Sequence, residues 1–196
     1  MNIKRNILLN PGPATTTDTV KAAQLVPDIC PREREFGDLM RAFGSDLLRV
    51  VHVTPEAWAT VLFCGSGTIA MDACVSSLVP ADGKLLIVNN GAYSARAAEM
   101  ARAYSVPHID LTFPIDGLPD LTVIEDTLKT HPEITAVYTT HQETGTGILN
   151  PVREIGALAH AHGAICIADT ISTFAMIPID AAEMNICLLY TSDAAD

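Results

Sequence analysis

Short apolar runs alternate with stretches of helical pattern along this chain, and that alternation limits the possible folds more than any other feature. The runs have the length of strands and predict buried strands at residues 61–64, 84–88, 108–111, 136–140 and 165–168. Apolar strands that alternate with helices indicate a mostly parallel sheet with helices on both faces. The sequence therefore predicts an α/β fold.

The helices are predicted from apolar spacing and from capping residues. A short helix is expected to start within residues 15–18 and to reach Leu25, and further helices are expected at residues 35–51, 68–79, 94–104, 121–128 and 152–162. In the last of these, Asn150 is the expected N-cap, Pro151 begins the first turn and Gly163 follows the end.

A glycine-rich turn precedes the helix that is predicted at residues 68–79. Gly65, Ser66, Gly67 and Thr68 would allow an anion to approach the backbone, and the hydroxyls would add donors. The turn has neither the Gly-Lys pair of a Walker loop nor the six-residue dinucleotide fingerprint. Phosphate binding is one interpretation, and a turn that needs these residues only for its backbone geometry is the other.

Other polar residues follow the predicted strands, where parallel sheets bind ligands. Asp169 could keep a pyridinium nitrogen protonated, or it could only cap the turn that follows. Tyr93 could stack on a flat ring, or it could only pack at a helix start. The loop at residues 141–147 contains no second histidine at ligand spacing, so no metal site is expected.

Composition excludes some classes of function. The net charge is −11 and no basic cluster is present, which argues against binding of nucleic acid. The five cysteines are odd in number and lack paired metal spacing, which favours a reducing cytoplasm. No apolar run reaches the length of a signal peptide core or a membrane span, so we expect a cytoplasmic protein that does not contact a membrane.

Taken together, the motifs resemble the class V aminotransferases of pyridoxal-phosphate (PLP) fold type I, from about residue 7 to residue 186. The segments that carry the resemblance are residues 8–13, 15–21, 31–36, 65–68, 90–93, 141–144 and 146–150, with Asp169 and Ser172. The resemblance implies that the cofactor is pyridoxal 5′-phosphate and that the fold is the large, PLP-binding domain of this class.

The resemblance also implies cofactor-binding roles for residues of the glycine-rich turn and of two later segments. Ser66, Gly67 and Thr68 would bind the cofactor phosphate. Tyr93 would stack on the pyridine ring, and Thr144 would lie near the ring hydroxyl.

Two further groups of residues receive roles from the resemblance. Asp169 would pair with the pyridine nitrogen, which makes it the candidate catalytic residue, and Ser172 would line the site. Asn10, Pro11 and Gly12 would border the substrate pocket.

The segments at residues 15–21 and 31–36 favour one substrate class within the family. The resemblance implies transfer of the amino group of 2-aminoethylphosphonate to pyruvate, which gives phosphonoacetaldehyde and L-alanine, by a homodimer. An alanine– or serine–glyoxylate aminotransferase is the alternative, and a non-catalytic fragment is another. A cysteine desulfurase is disfavoured, because its pattern would place a histidine near the phosphate loop and a glutamine at Ser172.

The end of the chain departs from the family pattern. No lysine follows Lys129, although the cofactor chemistry of the family uses one after the Asp169 strand. Residues 187–196 resemble a translated sequencing adaptor and are expected to be a non-native tail. We therefore expect residues 1–186 to be the N-terminal part of the large domain, with the C-terminal small domain missing and the chain inactive by itself.

Overall fold

Five parallel strands form one sheet in this protein. The computed structural model describes residues 6–10 and 14–192. The strands are β1 (Lys84–Asn89), β2 (His108–Thr112), β3 (Ile134–Thr140), β4 (Ile165–Asp169) and β5 (Leu188–Tyr190). Their order across the sheet is β2-β1-β3-β4-β5, and every neighbouring pair is parallel. The predicted α/β class with a parallel sheet is confirmed.

All six predicted helices form, with ends that differ from the prediction by a few residues. They are α1 (Asp18–Ala23), α2 (Arg34–Val50), α3 (Gly67–Ser77), α4 (Ala92–Ala103), α5 (Leu121–Thr130) and α6 (Val152–Ala161). The N-cap of α6 is Pro151 and not Asn150, because the Asn150 side chain bonds to Asn90 and to the carbonyl of Thr140. Gly163 follows α6 in the left-handed conformation with φ 75°, as predicted.

Both faces of the sheet are covered, because successive side chains of a strand point to opposite faces. Leu85 and Ile87 of β1 belong to the core that contains side chains of α3 and α4. Leu86 and Val88 belong to the core that contains side chains of α5 and α6. All four side chains are fully buried. The prediction of helices on both faces is thus confirmed.

The strand order creates a switch point beside β1. After β1 the chain adds β2 on one side, and then adds β3, β4 and β5 in turn on the other side. The connection from β1 to β2 runs through α4, and the next two connections run through α5 and α6 on the opposite face. Loops diverge outside the carboxyl ends of the strands at such a point and leave room for a ligand.

The strand predicted at residues 61–64 does not form. These residues pair with no strand in the described part of the chain, and Val61 and Phe63 are 73% and 53% exposed. A short apolar run satisfies the pattern of a buried strand, but only a neighbouring strand can supply its hydrogen bonds. Cys64 is exposed as well, whereas Cys166 is buried as expected. The glycine-rich turn therefore follows an irregular segment and not a strand.

Two glycines inside helices should respond in opposite ways to substitution by alanine. A Cβ at Gly156 of α6 would overlap the carbonyl oxygen of Met184, whereas a Cβ at Gly37 of α2 would meet nothing closer than 3.7 Å. We expect Gly156→Ala to lower the free energy of unfolding by about 1–3 kcal/mol through overpacking. Gly37→Ala should raise it by about 0.5–1 kcal/mol through helix propensity. Urea unfolding measures both, and stabilisation by both variants would contradict the close packing of α6.

Candidate active site

Most of the predicted site residues gather outside the carboxyl ends of β1, β3 and β4. The hydroxyl oxygens of Thr144, after β3, and Ser172, after β4, are 2.5 Å apart. The start of α3 joins them, since a Cβ at Gly67 would overlap the Cδ1 of Ile171. The glycine at position 67 is therefore needed for close packing of α3 against the loop after β4.

The N-terminus of α3 has the properties of an anion site. Ser66 is the N-cap residue, but its side chain makes no capping hydrogen bond to the helix. The first turn contains no acidic residue, and the Thr68 hydroxyl lies within it on the exposed surface. Helix N-termini carry partial positive charge and favour anions. The geometry at Ser66, Gly67 and Thr68 thus suits a phosphate group.

Asp169 ends β4 as a buried carboxylate, 3% exposed. The backbone N–H of Ile171 donates to its Oδ1 at 3.1 Å, and the hydroxyl of Tyr190 donates to its Oδ2 at 2.8 Å. The Tyr138 hydroxyl lies 3.4 Å from the same Oδ2. The bond from Ile171 shows that Asp169 does cap the following turn, yet a carboxylate has further acceptor capacity for a ligand.

Burial raises the pKa of Asp169 above its ordinary value, because a desolvated carboxylate resists ionisation. The hydrogen bonds from Ile171, Tyr190 and Tyr138 lower that pKa, and the negative charge of Glu143 raises it further. The net direction is upward, so the site holds a carboxylate that a nearby positive charge would stabilise in its ionised form.

Tyr93 lies at the start of α4 and is fixed there by the loop after β3. The Glu143 side chain, only 1% exposed, accepts hydrogen bonds from the N–H of Tyr93 at 3.2 Å and the N–H of Ser94 at 3.0 Å. The Ser94 hydroxyl donates to the same carboxylate at 2.7 Å. A carboxylate at a helix N-terminus is favoured by the helix dipole. Glu143 therefore ties Tyr93 to the loop that carries Thr144.

Sequence reasoning missed the structural roles of Glu143 and Asn150. The amides of Asn90 and Asn150 bond reciprocally, at 2.7 and 3.0 Å, and both residues are buried. The Glu143 bond to Ser94 and the Asn90–Asn150 bonds join positions that are 49 and 60 residues apart in the chain. The sequence indicates these residues only through the polar residues that follow the buried strands. Such a pattern does not specify which side chains form hydrogen bonds with each other.

The predicted substrate residues lie at the edge of the described part of the chain or outside it. Asn10 is exposed, and Pro11 and Gly12 lie outside the described residues. Their assignment to the substrate pocket stays a prediction.

The structure places part of the predicted tail in the sheet. Within residues 187–196, Leu188–Tyr190 form β5, which pairs with β4, and the Tyr190 hydroxyl reaches Asp169. Residues 193–196 lie outside the described residues. The foreign origin of this segment and the domain boundary at residue 186 stay predictions.

The described residues contain neither a metal-binding group nor a membrane-spanning helix. Over residues 6–10 and 14–192, no three histidine, cysteine, aspartate or glutamate side chains form a group that could hold a metal ion. No helix within the same ranges has the length and hydropathy needed to cross a membrane.

The chain is similar to known aminotransferases over nearly all of its length. The sequence model of the aminotransferase class-V family matches residues 32–193. A 2-aminoethylphosphonate–pyruvate transaminase from Lactiplantibacillus plantarum is 38% identical over 187 residues, which are 95% of this chain and 51% of that protein. The chain thus spans about half the length of the curated relatives that it matches.

Solved structures of two aminotransferases share the fold of this chain. The pyridoxamine–pyruvate aminotransferase from Mesorhizobium loti superposes with a TM-score of 0.88 at 25% identity, over 97% of this chain and 48% of that chain. The alanine–glyoxylate aminotransferase from a Nostoc species has a TM-score of 0.87 at 26% identity, over 97% of this chain and 50% of that chain.

Replacement of Asp169 by asparagine should change how stability depends on pH. Because the folded-state pKa of Asp169 is raised, the parent protein loses stability as pH rises from the unfolded-state pKa through the folded-state pKa. Asp169→Asn removes that loss. We therefore expect the free energy of unfolding of the variant to exceed that of the parent by an amount that grows with pH and persists at neutral pH. Urea unfolding from about pH 4 to about pH 8 covers the range. Asp116→Asn, in an exposed turn, is the control, and parallel curves for D169N and the parent would contradict the assignment.

Replacement of Glu143 by glutamine should destabilise the start of α4. One glutamine oxygen cannot replace both carboxylate oxygens, so an amide N–H of the side chain would face a backbone N–H. We expect Glu143→Gln to lower the free energy of unfolding by about 1–3 kcal/mol, as for a buried donor without an acceptor. Amide hydrogen exchange at Tyr93 and Ser94 should become faster. Glu99→Gln on the exposed side of α4 should leave both measurements unchanged.

Proposed function

Since the chain belongs to the class-V aminotransferase family, we propose that it forms the cofactor-binding part of a PLP-dependent transaminase that transfers the amino group of 2-aminoethylphosphonate to pyruvate. The observation that carries the substrate assignment is 38% identity over 187 residues to a protein of that activity. Because the chain spans 51% of that protein, the activity is proposed for the whole protein to which the chain corresponds.

We propose that the start of α3 holds the cofactor phosphate. The Ser66 hydroxyl, which makes no capping hydrogen bond, and the Thr68 hydroxyl supply donors on either side of Gly67, at a helix N-terminus without an acidic residue in its first turn. When bound, PLP supplies a conjugated ring that withdraws electrons from the amine-bearing carbon of the substrate.

Asp169 would hold the nitrogen of the cofactor ring in its protonated form. Its buried carboxylate has a raised pKa, and a cationic ring nitrogen would supply the opposite charge that stabilises the ionised form. The hydrogen bond from the backbone N–H of Ile171 fixes the orientation of the carboxylate. Its proposed function is therefore electrostatic, and no proton needs to leave Asp169 during the reaction.

Tyr93 and the two hydroxyl residues would position the ring. Tyr93 is partly buried at the start of α4, where Glu143 fixes its backbone, and its aromatic face suits a stacking role. Thr144 and Ser172 share one hydrogen bond, so the hydroxyl that does not donate within the pair can donate to the ring oxygen.

The whole protein is proposed to be a cytoplasmic homodimer. All five cysteines are free, which suits a reducing compartment. The apolar side chains of Leu39 and Phe43 on α2 are 52% and 48% exposed. Apolar surface of this kind is typically covered by a further domain or subunit, and a second copy is the occupant that we propose.

The cofactor assignment is tested by equilibrium dialysis of the chain against PLP. We expect the parent chain to retain PLP and Asp169→Asn to bind it about tenfold or more weakly, since a charge-assisted bond to the ring is lost. The asparagine variant is expected to be at least as stable as the parent, so weak binding cannot be attributed to unfolding. A parent chain that retains no PLP would refute the assignment.

The substrate assignment is tested on the product of the complete reading frame that encodes this chain. With PLP and pyruvate, 2-aminoethylphosphonate should give L-alanine and phosphonoacetaldehyde in equal amounts. Alanine or serine as donor with glyoxylate as acceptor is the comparison reaction, motivated by the fold likeness to the Nostoc enzyme at 26% identity. Turnover only in the comparison reaction would replace the proposed substrate pair.

A further inference from the structure

Arg96, on the exposed surface of α4, lies between the proposed ring-stacking residue and the proposed phosphate turn. Its guanidinium carbon is 5.3 Å from the centroid of the Tyr93 ring. Its Nη1 is 3.5 Å from the Thr68 hydroxyl. One cationic side chain thus contacts two predicted cofactor residues that are 25 positions apart in the sequence.

We propose that Arg96 binds the cofactor phosphate and positions the Tyr93 ring. The inference rests on the proposed function and adds to it a residue that the motifs did not indicate. The chemical group that Arg96 would recognise is a phosphate monoester at the start of α3.

The turn at the start of α3 needs a positive charge that its own residues do not supply. Ser66, Gly67 and Thr68 are neutral, and a helix terminus contributes only about half an elementary charge. The chain as a whole carries a net charge of −11, which repels anions. An arginine beside the turn offsets both effects, and its planar guanidinium matches a phosphate with two parallel hydrogen bonds.

The contacts of Arg96 leave its charge available. Within the described ranges Arg96 makes no ion pair with a carboxylate, whereas Arg102 of the same helix pairs with Asp110 at 3.4 Å. The contact with Thr68 is at the long limit for a hydrogen bond, so it holds the guanidinium weakly. The cation–π contact with Tyr93 keeps the side chain near the turn without neutralising it.

Variants of two arginines on one helix test the proposal. Arg96→Ala should weaken PLP binding by about tenfold, since a charge-assisted pair is lost. Binding of pyridoxal, which lacks the phosphate, should change by less than about threefold, because only the support of Tyr93 is lost. Arg96→Lys keeps the charge without the planar fork and should give an intermediate affinity for PLP. Arg102→Ala is the matched control, and equilibrium dialysis gives each dissociation constant.

The outcomes separate this inference from the function on which it rests. Added salt should weaken PLP binding by the parent chain more than binding by Arg96→Ala, because salt screens the exposed charge. Parent-like PLP affinity in Arg96→Ala would overturn the inference alone, and so would equal weakening of PLP and pyridoxal. A parent chain that retains no PLP would remove the proposed function and the inference together. Urea midpoints for all variants show that each is folded at the dialysis conditions.

Discussion

The hydrogen bonds between the Glu143 carboxylate and the start of α4 hold the two halves of the site together. They join the loop after β3 to the loop after β1 at the point where the strand order switches. Glu143 is almost fully buried, so its bonds are shielded from water, and Gly91 is needed beside it because a Cβ there would overlap its carboxylate. The positions of Tyr93 and Thr144 both depend on this one side chain.

The parallel sheet explains why the polar residues lie where they do. Its central strands β1, β3 and β4 are buried on both faces, so most side chains within them are apolar and the polar groups of the site lie at the strand ends. Asp169 is a charged group of this kind that is nevertheless buried, since it is the last residue of β4 and only 3% exposed. Its raised pKa is the electrostatic consequence of that position. A site of this kind has a cost in stability that a cationic ligand would offset.

The sequence predicted the sheet and its helices because these depend on local patterns. Strand-length apolar runs and capping residues predicted the elements. The site roles of Thr144 and Ser172 came from the family resemblance, and the structure brings their hydroxyls together. The prediction failed at residues 61–64, where the pattern was present but no neighbouring strand was. It also failed at Asn150, whose side chain capped nothing because a buried partner amide was available from Asn90.

The sequence by itself determined the fold class, the family and the types of side chain at each strand end, since periodicity and motif order are properties of adjacent residues. Only the tertiary structure decided which of those side chains meet. The bond between Thr144 and Ser172, the packing of Gly67 on Ile171 and the position of Arg96 join loops that the chain visits far apart. Such contacts follow from strand order and register, which arise when the whole sheet assembles and which no local pattern encodes.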